Sequence, residues 1–83
     1  MQSYNVKPTA TPQSFYAMTG IKRCQKAAFQ APTSNAGTVY WGDESMQPFF
    51  IIPGGSSDLL PIPNLETLYI KGTVGDSLYV FIA

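Results

Sequence analysis

The chain has 83 residues, so it makes one domain with a thin core, burying only a little over ~60% of the surface its unfolded form exposes. Five Lys and Arg balance five Asp and Glu, His is absent, and charged residues make up 12% against the usual ~25%, a composition that favours association and argues against a nucleic-acid partner. Without His, neither a Ser-His-Asp arrangement nor a tetrahedral zinc site can be built, and the single cysteine, Cys24, leaves oligomerisation as the route to added stability.

In chain order, the first dozen residues carry Pro8 and Pro12 among Thr, Ser and Gln. They read as an extended N-terminal arm over 1–12 that reaches across a neighbour, or as a frayed terminus, followed by a single all-β domain over 13–83. The arm has neither a basic n-region nor an apolar h-region, and no run approaches the ~18 apolar residues of a membrane span, so neither export by a cleaved signal peptide nor a membrane is expected. A lone cysteine suits folding in a reducing cytoplasm.

Seven glycines and seven prolines interrupt the chain too often for an amphipathic helix. The expected fold is a small six- to seven-stranded antiparallel sandwich or jelly-roll-like barrel. Its strands are predicted at SFYAM, CQKAAFQA, TVYWG, MQPFFII, SDLLPI, TLYIKG and DSLYVFIA. In the second, Ala27, Phe29 and Ala31 alternate with Cys24, Lys26, Ala28 and Gln30 on the opposite face. Lys22, Arg23 and Lys26 form a local basic group, read as a solvated face rather than a phosphate contact. Pro61 and Pro63 each lack a ladder donor, which makes LLPIPNL an edge strand or an extended connection. The turn PGGSS, from Pro53, has no lysine or helix start after it and is not a phosphate loop.

The last two runs predict a hairpin. A three-residue TVG loop with Gly75 left-handed sets Gly72 near Asp76 and Ile70 near Leu78. Leu68, Ile70, Leu78, Val80 and Ile82 then share one face, and Thr67, Tyr69, Lys71, Ser77, Tyr79 and Phe81 the other. The aliphatic face is the natural core, leaving Tyr69, Tyr79 and Phe81 for a subunit interface; the reverse arrangement, aromatic core with the aliphatic face under the arm, stays open.

The carboxylates Asp43, Glu44, Asp58 and Asp76 lack calcium-loop spacing and read as turn residues bonding backbone. No catalytic residue, metal or cofactor is expected. Tyr40 and Trp41, with Tyr16, Phe49 and Phe50 nearby, are candidates for a sugar- or peptide-binding platform.

From Val39, Tyr40, Gly42 and Asp43, through Pro53, Gly54 and Ser56, then Asn64, Leu65, Leu68, Tyr69 and Ile70, to Gly72, Gly75, Asp76, Val80 and Ile82, the C-terminal half resembles small structural proteins of tailed bacteriophages. The resemblance implies a head decoration or cement protein on the capsid surface of the virion. Its implied partners are further copies of itself, as in a trimer, and the major capsid protein, with Tyr4, Val6 and Pro8 of the arm as capsid contacts. The alternative is a neck or tail-fibre component acting as a receptor- or glycan-binding β-module.

Overall fold

The computed structural model describes residues 2–83. It is an all-β domain of two antiparallel sheets with one short helix. In chain order the elements are β1 (Gln2–Val6), β2 (Gln13–Ser14), α1 (Phe15–Thr19), β3 (Ala27–Gln30), β4 (Val39–Gly42), β5 (Phe49–Ile51), β6 (Tyr69–Lys71) and β7 (Leu78–Ile82). The three-stranded sheet runs β1-β7-β3 and the four-stranded sheet β2-β6-β4-β5. Their inner faces meet in one core: Phe29, Leu78, Val80 and Ile82 from the first sheet pack with Val39, Trp41, Ile51 and Ile70 from the second, and Phe15 and Leu65 close it.

Period-two alternation places the side chains correctly along β3 and β7. Ala27 and Phe29 are buried while Gln30 is exposed, and Leu78, Val80 and Ile82 are buried with Tyr79 and Phe81 turned outward. The expected hairpin, however, does not form. β6 lies between β2 and β4, whereas β7 is the central strand of the other sheet, so Ile70 and Leu78 are not ladder partners. Gly75 is left-handed as expected, with φ 97°. What redirects the chain is polar and long-range: the buried Asp76 carboxylate accepts N–H bonds from Ala36 (2.8 Å) and Gly37 (3.0 Å). Asn35 brackets the next residue, donating to the Ser77 carbonyl at 2.7 Å and accepting from its N–H at 2.9 Å. The aliphatic faces of β6 and β7 still both reach the core, but from opposite sheets.

The expected arm is a strand of the domain. β1 pairs with β7 from Gln2↔Ile82 to Val6↔Leu78, and Gly72 N–H bonds the Thr9 carbonyl at 2.9 Å. Val6 and Pro8 are core residues and Tyr4 packs edge-on against Phe15, because the pattern of β1 presents alternate side chains to β7's apolar face. Met1 lies outside the described residues.

Two predicted strands take other forms. SFYAM becomes α1, because Ser14 caps it by accepting the Ala17 N–H (2.9 Å) and left-handed Gly20 closes it by donating to the Tyr16 carbonyl (2.7 Å). SDLLPI forms only isolated bridges. With the proline run after it, it is an extended ribbon along the free edge of β3, tied by Ala27↔Leu60, Gln30↔Ser56 and Arg23↔Asn64.

Candidate functional site

The β4–β5 hairpin carries the most conspicuous surface of the molecule. Its turn is built by Asp43, whose Oδ1 accepts the N–H groups of Ser45 and Met46 at 2.8 Å each while its own N–H donates to the Met46 carbonyl at 2.8 Å. Gly42 is required there, since a β-carbon would collide with the Met46 carbonyl and Gln47 Cα. The register Val39↔Ile51, Tyr40↔Phe50, Trp41↔Phe49 then puts Tyr40 and Phe50 side by side on the outer face and Trp41 and Phe49 on the inner one.

β5 is the last strand of its sheet, so inner-face residues at its margin are only partly covered. Met46 (64%), Phe49 (57%), Phe50 (61%) and Ile52 (57%) are more than half exposed, with Tyr40 at 40% beside them. Isolated exposed apolar residues are ordinary; here four lie within residues 46–52 of one sheet margin, distributed over both of its faces. Lys71 Nζ sits 5.6 Å from the Tyr40 ring centroid, a positive charge beside the outer-face aromatics. Beside the hairpin, Trp41, Asp43, Met46, Phe49, Asn64 and Thr67 line an open cleft of about 300 Å³.

The sequence-predicted site residues are scattered. Tyr69 lies on the outer face of the four-stranded sheet, while Tyr79 and Phe81 lie on the outer face of the three-stranded one. All three are half-buried and they share no patch. Of the platform residues Tyr40 is exposed, but Trp41 is 7% exposed and held between Phe29 (4.7 Å) and Phe49 (5.6 Å), so its ring faces are occupied. Phe49 and Phe50 do present their rings. Met46 and Ile52 were not singled out by sequence reasoning; the available signal was that FFII breaks the alternation of a half-buried strand, which a strand at a sheet margin can do.

The polar groups of the region serve the fold. Asp43 is committed to its turn and Asp76 to the 36–37 loop. Cys24 donates Sγ–H to the Ile62 carbonyl at 3.0 Å, and burial pushes its thiol pKa up, the opposite of nucleophile activation. Against known protein families, curated proteins and solved structures, the chain matches none.

Proposed function

We propose that the chain is a virion structural protein, a capsid decoration or cement protein that stabilises a phage head by bridging capsid subunits, with the β4–β5 margin as its adhesive surface. The observation that supports this is the exposed group Met46, Phe49, Phe50 and Ile52 on a domain with few charges and net charge zero. Burying such a surface contributes about 25 cal/mol per Å², and repetition over a shell multiplies weak contacts into avidity. The resemblance of the C-terminal half to phage structural proteins supplies the setting. Capsid contact is assigned to Tyr40, Phe50 and Ile52 in place of Tyr4, Val6 and Pro8, because Val6 and Pro8 are consumed by the core.

The test is co-sedimentation with empty capsid shells of the encoding phage. The wild type is expected to pellet with shells and Tyr40→Lys to stay in the supernatant; wild-type protein that never pellets overturns the reading. A second reading, a receptor- or glycan-binding module of a fibre or neck, is favoured by the cleft beside Phe49. Glycan-array binding lost on Phe49→Ala, without shell binding, would select it.

A further inference from the structure

We propose that β5 pairs antiparallel with β5 of a second copy about a two-fold axis at Phe50, joining the two four-stranded sheets into one continuous sheet. The proposal rests on reading the β4–β5 margin as an assembly surface and names its first partner. Of the four sheet margins, β3 is covered by the proline ribbon and β2 is two residues long and runs directly into α1. β1 offers the exposed polar side chains Gln2, Ser3 and Asn5. Among the described residues, only β5 combines an open backbone with exposed apolar side chains.

The direction of its backbone groups follows from alternation along the sheet. Gly72 N–H bonds Thr9 and the Leu68 carbonyl accepts from Phe15, so these residues of the β6 segment face the β2 side and Lys71 faces β4. Tyr40, opposite Lys71, therefore faces β6, while Val39 and Trp41 face β5. Phe50, opposite Tyr40, turns both its N–H and its carbonyl to the open margin, as do the Pro48 carbonyl and the Ile52 N–H by the same period of two.

This margin is complementary to itself. With Phe50 opposite Phe50 of the second copy, the two residues exchange both of their bonds. Residue 52 of each copy then falls opposite residue 48 of the other, so each Ile52 N–H donates to a Pro48 carbonyl. Pro48 has no N–H to return, and none is needed, because the Ile52 carbonyl already accepts the Gly55 N–H at 2.8 Å. Pro48 thereby ends the ladder and fixes the register. The two-fold axis sets Phe50 beside its own copy and the rest of residues 48–52 beside one another, an arrangement that charge would penalise, and no charged residue occurs between Glu44 and Asp58. Met46, Phe49, Phe50 and Ile52 are 57–64% exposed; at about 200 Å² per large side chain, two copies together present close to the ~1,000 Å² scale of a specific interface, of which the joined edges shelter the flanks beside the axis and leave the outer face at Tyr40, Phe50 and Ile52 for the capsid. The outcome is a dimer, in place of the trimer that the resemblance suggested.

Sedimentation equilibrium and isotope-filtered NMR on the full chain test this. The wild type is expected at twice the 9.0 kDa chain mass. A mixed labelled and unlabelled sample should show an intermolecular Hα–Hα contact between Phe49 of one copy and Ile51 of the other, the close non-hydrogen-bonded pair of this register. Phe50→Pro removes a donor that points away from β4, and Phe50→Lys sets two ammonium groups together at the axis. Each should raise the dimer dissociation constant roughly tenfold or more with the monomer still folded, while Asn5→Lys on the β1 margin leaves it unchanged. A wild-type monomer, absence of the 49–51 contact, or a dimer that persists in both Phe50 variants overturns the pairing. A wild-type monomer that still pellets with capsid shells overturns the pairing and supports the function above. A β5-paired dimer that never pellets supports the pairing and overturns that function.

Discussion

β3 and β5 both lie at sheet margins, yet the chain finishes them in opposite ways. Along β3 a ribbon of the same chain supplies the missing partner: Ala27 and Leu60 exchange bonds at 2.7 and 2.8 Å, Ser57 N–H reaches the Phe29 carbonyl at 2.8 Å and Cys24 N–H reaches Pro63 at 3.2 Å. Because Pro61 and Pro63 have no N–H, the ribbon takes bonds from β3 without offering a full strand of donors to anything beyond it. Along β5 the prolines flank the strand instead, at Pro48 and Pro53, and leave its middle open with phenylalanines on both faces. The contrast shows that the fold has a means of closing an edge and applies it to only one. The edge left open is the one that carries the exposed aromatics.

The largest expected effect is at the closed side. Phe29 is fully buried on β3 and its ring meets Trp41 at 4.7 Å, so it links the covered edge to the sheet that carries the open one. Phe29→Ala should cost about 3–5 kcal/mol in a urea unfolding series, enough to unfold much of a domain this small. A loss under about 1 kcal/mol would mean that the two margins are not held by a common core. The ribbon itself is probed by Ser57→Ala. Ser57 Oγ accepts the Phe29 N–H at 2.9 Å, and removing it leaves a donor in the covered edge unsatisfied, for an expected loss of about 1–2 kcal/mol. If stability is unchanged, the ribbon's side chains contribute nothing to closing that edge.

How much of this contrast could be read in the sequence follows from what each pattern encodes. Alternation in AAFQA and LYVFI fixes which side chains face inward, because a strand buries the same face whichever neighbour it has. It carries no information on which neighbour that is, so β6 and β7 were placed in one hairpin when bonds from Asp76 to residues 40 and 39 positions earlier send them to different sheets. The five residues of α1 are too few for a helical period to register, although Ser14 and Gly20 flank them as caps. Pro61 and Pro63 excluded a central strand, and the segment is an extended ribbon tied to the edge of β3 by isolated bridges. The candidate site was half legible: Tyr40, Phe49 and Phe50 were on the page as aromatics, but their exposure depends on β5 having no outer neighbour, which is a property of the assembled sheet. Tyr79 and Phe81 misled for the same reason, since a face shared along one strand is not a patch unless the adjacent strand extends it.

The smallest effect in energy is the most direct in placement. Hydrogen exchange read amide by amide on dilute, monomeric protein compares the two margins without any substitution. The Ala27 and Leu60 N–H groups bond each other's carbonyls and should exchange slowly, at rates set by opening of the core. On β5 the expectation alternates: Ile51, opposite Val39 and facing β4, is protected, whereas Phe50 and Ile52 exchange near the rate of an unstructured amide. Uniformly slow exchange across Phe50, Ile51 and Ile52 in a sample shown to be monomeric would mean that this chain covers β5 as it covers β3, and the difference between the edges would vanish. If Phe50 and Ile52 are fast alone and slow only as concentration rises, the missing partner of β5 is supplied from outside the chain, where β3 draws its own from within.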